Sequence, residues 1–271
     1  MGVLMPARRD PAFRRRLLSA LVLGPLALGL LAYGDLPFTA WVAAFAAAMA
    51  WEWIQMSDRE APPVAYAIAC ATASGTVLLA GQVGIGDAVF WGAAGTLASA
   101  IERWRRGWSI EVVGVLYVSL AAALLAAMRA DTAHGLQAVV LLFAIVWAAD
   151  SFAYLVGTWI GGPKLLPQAS PNKTWSGFLA GLVAGLAAGL VAGAIFGLDR
   201  VPTAVFALIV ATASVAGDLS MSIFKRSFDV KDSGKLIPGH GGVLDRVDAL
   251  MLAVITAVIA ERFLPLGWTT P

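Results

Sequence analysis

A chain of 271 residues that is 59% hydrophobic and only 13% charged falls far below the roughly 25% charge of soluble domains. That excludes a string of soluble domains and predicts one polytopic, all-α membrane domain. The lone cysteine, Cys70, lies in an apolar run and excludes an intrachain disulfide or a cysteine-built metal site. The net charge of +2 says less than the positions of the charges, and no nucleic-acid partner is expected.

Arg8, Arg9, Arg14, Arg15 and Arg16 precede an apolar run and imitate a secretory signal. No small-residue cleavage site follows 17–33, so the run is predicted to be a retained first helix. Pro6 stands where myristoylation needs Ser or Thr. Apolar runs of spanning length then recur at 39–56, 63–81, 84–101, 110–128, 136–158, 176–197, 202–222 and 247–266, nine in all. With the N-terminus inside, every basic residue except Arg129, Arg200 and Arg262 falls on the inner side, as the positive-inside rule expects. The C-terminus is then outside, and the polar stretch Asp218–Asp248 is cytoplasmic.

Charges along these runs divide into ordinary and suggestive ones. Glu52 near the inner end of the second helix is expected to be unremarkable, and Glu111 suits the start of the fifth through the helix dipole. Arg103, Arg105 and Arg106 with Trp104 and Trp108 are expected to anchor the chain to anionic headgroups. His134 falls in an outer loop and is expected to be incidental. Asp150 lies inside the sixth helix, where an ionisable group must face a polar cavity or a partner. A substrate contact and a purely structural pairing are equally open for it.

The second long inner loop, 159–175, contains Lys173, a fitting phosphate contact, with the hydroxyls of Ser170 and Thr174 beside it. The ordinary reading of the same residues is turn-and-cap chemistry. The seventh helix follows with Gly177, Gly181, Gly185, Gly189, Gly193 and Gly197, one every four residues. Such a stripe lets another backbone approach closely in lipid, within the chain or across a homodimer.

Asp218–Asp248 is the one long polar passage. It alternates Asp218, Asp229, Asp232, Asp245 and Asp248 with Lys225, Arg226, Lys231, Lys235, His240 and Arg246 around the turn Pro238-Gly239-His240-Gly241-Gly242. Hard carboxylate oxygens and cations in this mixture suit Mg²⁺ with bound phosphates. On a helix, Asp218, Ser222 and Lys225 line one face, and Asp245 and Asp248 share a face at the start of the next helix. Asp218, Asp245 and Asp248 are therefore the candidate metal ligands, with Asp218 and Asp248 foremost. Glycines around His240 leave the N–H groups of Gly241 and Gly242 able to approach a phosphate. His240 either donates to that phosphate or only ties down the turn.

This passage resembles the signature of the phosphatidate cytidylyltransferases. Ser222, Lys225-Arg226, Lys231-Asp232, Ile237-Pro238, His240-Gly241-Gly242 and Asp245-Arg246-Val247-Asp248 fill every fixed position over 27 residues. Ser170-Pro171-Asn172-Lys173-Thr174-Trp175 resembles the family's second motif, and Asp150 with Ala153 and Tyr154 a third feature. The resemblance implies an integral membrane enzyme of phospholipid biosynthesis that joins CTP to phosphatidic acid, releases pyrophosphate and uses one or two Mg²⁺. It implies reactive-centre roles for Lys225, Arg226, Lys231, His240 and Arg246. Substrate contacts are implied for Asp150, Ser170, Lys173, Thr174, Ser222, Gly241 and Gly242. Ser176 and Met221 stand where the family commonly has Glu, which leaves the number of metals open. A transporter would need broken helices in paired repeats near the midplane, and none is evident. A polyprenol or phytol kinase or a CDP-archaeol synthase shares the chemistry without matching the whole signature.

Overall fold

The computed structural model describes residues 22, 24–104, 110–131, 133–237 and 241–268. Nine helices lie among them: α1 (Gly24–Tyr33), α2 (Asp35–Ser57), α3 (Pro63–Gln82), α4 (Ile85–Arg103), α5 (Ile110–Ala130), α6 (Gly135–Trp159), α7 (Trp175–Phe196), α8 (Arg200–Ser227) and α9 (Leu244–Glu261). Five of them, α3, α5, α6, α7 and α8, are long and apolar enough to cross a membrane. The predicted 17–33 run and the five N-terminal arginines lie wholly or partly outside the described residues.

The loop 159–175 is more ordered than its sequence suggests. It holds an antiparallel hairpin, β1 (Lys164–Leu166) against β2 (Ser170–Thr174), with Lys164 opposite Thr174 and Leu166 opposite Ser170. Thr174 then caps α7, its Oγ1 accepting from Gly177 N at 3.1 Å, which satisfies one of the donors left open at a helix start.

The glycine stripe is an internal seam. A Cβ at Gly177 or Gly181 would stand 2.6 Å from Ala153 O or 2.9 Å from Ala149 O, so α7 lies directly on the α6 backbone. Gly185 and Gly193 instead meet side chains of α8: a Cβ there would stand 2.8 Å from Ala211 Cβ or 2.7 Å from Thr203 Cγ2. The opposite face of α7 exposes Val183, Val191 and Ile195, as a surface toward hydrocarbon requires. Trp53 of α2, Leu141, Leu142 and Ile145 of α6, Met221 of α8 and Leu244 of α9 are among the largest fully buried side chains.

Two helix ends move from their expected places. α8 continues to Ser227, with Lys225 and Arg226 in its last turn, where cations suit the carbonyl end of a helix. Trp53 of α2 packs edge-on against Phe224 and Phe228 at that end, ring centroids 5.4 and 6.3 Å away. α9 stops at Glu261 instead of 266, and the chain folds back. Leu266 O accepts from Asp199 N at 2.9 Å, and Trp268 stacks on His134 at 5.3 Å while donating to Glu261 at 2.9 Å. His134 is thus a packing partner of the C-terminal segment.

Arg103 is not a headgroup anchor. It is 3% exposed, its Nη2 meets Asp58 Oδ2 at 2.5 Å, and Glu111 Oε1 lies 3.8 Å away. A guanidinium in an apolar helix end is tolerable only when paired, and Asp58 just after α2 and Glu111 of α5 provide the carboxylates. Trp104 does lie exposed, while Arg105, Arg106 and Trp108 fall outside the described residues.

Candidate active site

The two ends of the polar passage come together because α8 and α9 approach without a side chain between them. A Cβ at Gly217 would stand 2.9 Å from Asp248 O, and that contact sets Asp218 and Asp248 side by side. Lys225 Nζ donates to Asp245 Oδ1 at 2.8 Å and lies 3.6 Å from Asp248 Oδ2. Asp218 pairs with Lys173 of β2 and acts electrostatically on both Asp248 and Asp150. Asp150 Oδ1 in turn accepts from Ser214 Oγ at 3.2 Å. Carboxylates from α6, α8 and α9 are therefore held together by lysines from β2 and α8.

The three Asp named from spacing are not equivalent here. Asp245 has both oxygens engaged: Oδ1 by Lys225, Oδ2 by the N–H groups of Ser233 at 2.9 Å and Gly242 at 3.0 Å. Asp218 rests on Lys173, and Asp248 takes the Ala249 N–H on Oδ1 at 2.9 Å while its Oδ2 lies 3.6 Å from Lys225. Among the described residues no group of three or more His, Cys, Asp or Glu side chains is gathered to hold a metal ion. Two hard carboxylates fit Mg²⁺ all the same, since that ion is commonly bound by one or two carboxylates with water and substrate phosphates completing its shell.

The glycine turn is placed differently from a phosphate cradle. Gly241 adopts φ +83°, a left-handed conformation natural to glycine, and its carbonyl accepts from Ile237 N at 2.9 Å. Gly242 N points at Asp245, so its donor is spent inside the protein. His240 lies outside the described residues. Ser222 is half-buried on the α8 face between Asp218 and Lys225, and Ser170 opens β2. Thr174 is buried in its cap, 3.0 Å from Ser176 Oγ, which donates to Gly161 O at 2.5 Å. Arg226, Lys231 and Asp232 are exposed at the surface, with Arg226 closing a turn onto Val230 O at 3.4 Å.

Arg246 leaves this cluster and lines a cavity of about 220 Å³. Its walls are Phe38, Trp41 and Phe45 of α2, Leu125 of α5, Trp147 of α6 and Leu250 of α9, and Asp150 is the other charged group on it. An apolar cavity of about 150 Å³ already takes up benzene, so this one has room for a stretch of hydrocarbon. Asp150 thus belongs to both spaces, the carboxylate cluster and the apolar cavity.

Glu52 is the residue that the sequence reading undervalued. Fully buried, its carboxylate accepts from Ser233 Oγ at 3.1 Å, Val243 N at 3.0 Å and Leu244 N at 2.9 Å. The available signal was its position: a carboxylate between Trp51 and Trp53, inside an apolar helix, must have partners.

Residues 14–264 match the cytidylyltransferase family. A phosphatidate cytidylyltransferase of Brucella suis biovar 1 is 37% identical over 260 residues, covering 92% of this chain and 95% of its own. The Pseudomonas aeruginosa phosphatidate cytidylyltransferase is 37% identical over 274 residues, with 95% and 99% covered. That of Haemophilus influenzae is 34% identical over 281 residues, with 89% and 96% covered. With the match running through the α8–α9 cluster and nearly the whole length on both sides, the chain belongs to the cytidylyltransferase family.

Proposed function

We propose that this membrane protein transfers the cytidylyl group of CTP to phosphatidic acid, giving CDP-diacylglycerol and pyrophosphate. One observation carries the reading. The segment bearing the family signature folds so that Lys225 sits between Asp245 and Asp248 while Asp218 faces Lys173.

A phosphatidate oxygen attacks the α-phosphorus of CTP, and the bond to the β-phosphate breaks with its electrons leaving on pyrophosphate. The attacking oxygen is already anionic, so no strong general base is required. The obstacle is crowding two anions and stabilising charge on the leaving group. Asp218 and Asp248 are the residues that would hold one or two Mg²⁺, which when bound would neutralise the phosphates and polarise the P–O bond. Lys225 keeps Asp245 and Asp248 in register and presents a cation to the phosphates. Lys173, on the hairpin, faces the nucleotide. Arg226 and Lys231 at the surface attract the triphosphate, and His240 of the signature is assigned as a donor to the leaving group.

The lipid enters from the other direction. Its acyl chain lies in the cavity beneath Trp41 and Leu250, and its phosphate meets Arg246, which holds phosphate oxygens well through its planar fork. Asp150 stands where the two substrates meet. In this reading the nine helices all span, the N-terminus is cytoplasmic, and the membrane is the inner membrane of a bacterial cell. CTP then reaches the α8–α9 loop from the cytoplasm.

The test is purified protein with CTP and phosphatidate. CDP-diacylglycerol should form and should stop when divalent cations are fully chelated. Robust product in the chelated reaction would refute the Mg²⁺ assignment, and no product under any metal condition would refute the activity.

A further inference from the structure

The inner end of α2 grips both arms of the site at once. Trp53 Nε1 donates to Ile110 O at 3.1 Å, and its ring packs against Phe224 and Phe228, which end the helix bearing Asp218 and Lys225. The preceding residue, Glu52, takes the first N–H groups of the helix bearing Asp245 and Asp248. It also takes the hydroxyl of Ser233, whose own N–H donates to Asp245. The chain leaves room for this carboxylate. A Cβ at either Gly234 or Gly242 would collide with a Glu52 oxygen, so both glycines are spaces the carboxylate fills. A buried carboxylate without a salt-bridging lysine or arginine among its named partners requires such a set of donors, because an unpaired buried charge is heavily penalised.

We infer that Glu52 is a positioning residue for the transfer reaction: by fixing the α9 start and Ser233, it sets where Asp245 and Asp248 stand relative to Asp218 and Lys225. The inference rests on the reading of Asp218, Lys225 and Asp248 as the reactive centre. Glu52 touches no substrate. It acts through backbone: Leu244 and Val243 lie within two residues of Asp245, and Asp245 holds Lys225 at 2.8 Å. The same contacts occupy the anion-binding end of α9 with an internal carboxylate. Phosphate is therefore left to the side-chain cations, in agreement with Gly242 N being spent on Asp245.

The experiment compares Glu52→Gln, Ser233→Ala and the unaltered protein, reading kcat and KM for each substrate beside amide hydrogen exchange. Glu52→Gln presents an amide NH₂ to N–H donors on one side and frees part of the α9 start. Its kcat is expected to fall about 100-fold, the scale of a displacement near 1 Å at a reacting centre, with KM for phosphatidate nearly unchanged. The amides of Val243 and Leu244 should exchange faster while those of α5 and α6 keep their protection. Ser233→Ala removes one contact of three with little change of volume, and its kcat should fall about tenfold at an unaltered melting temperature. If Glu52→Gln fails to fold, Ser233→Ala decides alone. Normal kcat in a folded Ser233→Ala protein, or in a Glu52→Gln protein with a loosened α9 start, overturns the inference and leaves the site reading intact. Full activity of Asp218→Asn and Asp248→Asn would instead sink that reading.

Discussion

Replacing Gly181 by alanine tests the seam on which the site is mounted. The new Cβ would stand 2.9 Å from Ala149 O, and at Gly177 it would stand 2.6 Å from Ala153 O; ordinary contact begins at 3.4 Å. The shortfalls are 3.4 − 2.9 = 0.5 Å and 3.4 − 2.6 = 0.8 Å. Both obstacles are main-chain oxygens of α6 and cannot rotate aside, so the helices must part. Overpacking of this kind costs about 1–3 kcal/mol, offset by about 0.5–1 kcal/mol from removing a glycine inside a helix. The net loss is about 0–2.5 kcal/mol per site, larger at Gly177. Gly86 of α4 is the control, since nothing lies within 4 Å of its Cβ position. Melting in one detergent should rank Gly86→Ala at or above the unaltered protein, then Gly181→Ala, then Gly177→Ala. Ala149 adjoins Asp150, so turnover should fall in the two seam variants as well. Gly181→Ala behaving like Gly86→Ala would show that α6 and α7 are not in backbone contact.

Further outcomes are as definite. Asp218→Asn and Asp248→Asn each remove a charge with little change of volume and should abolish turnover in a folded protein, measured across a Mg²⁺ titration; near-normal rates would exclude that residue as a ligand. Arg103→Gln should lower stability by about 3–5 kcal/mol, the penalty for breaking a buried pair, because Asp58 and Glu111 lose their shared cation; unchanged melting would show the arginine to be solvated. In a Cys70→Ala background, cysteine at Lys235 should be shielded from an impermeant thiol reagent outside intact cells, while cysteine at Ala133 should react; the reverse pattern would invert the topology. Lys235 and Ala133 are both exposed, whereas Ser233 is buried against Glu52 and would not report.

The sequence spoke most clearly where one physical effect dominates. Apolar runs set the helices, because length and composition alone decide what can lie in hydrocarbon, and the glycine period marked the α6–α7–α8 seam for the same reason. Charges at the helix ends were harder. Arg103 and Glu52 look like their solvated neighbours in one dimension. Their burial depends on Asp58, Glu111, Ser233 and the α9 start being brought to them by packing. The β1–β2 hairpin gave little sign, since Lys164–Leu166 and Ser170–Thr174 lack a clear two-residue alternation. Spacing placed Asp245 and Asp248 on a shared face, yet the loop turning back through Ile237 and Gly241 delivers the Ser233 and Gly242 N–H groups to Asp245, while Asp248 takes only the N–H of its neighbour Ala249. That distinction belongs to the tertiary fold and is invisible in an i, i+3 pattern.

The most direct test of cytidylyl transfer follows the label in CTP. Purified protein with phosphatidate should carry a radiolabel from the α-phosphate of CTP into the organic-soluble lipid and release a γ-phosphate label as pyrophosphate, with both events absent in Asp248→Asn. A γ-phosphate label appearing in the lipid would mean phosphoryl transfer by a kinase, and the account of the α8–α9 cluster as a cytidylyltransferase centre would be wrong.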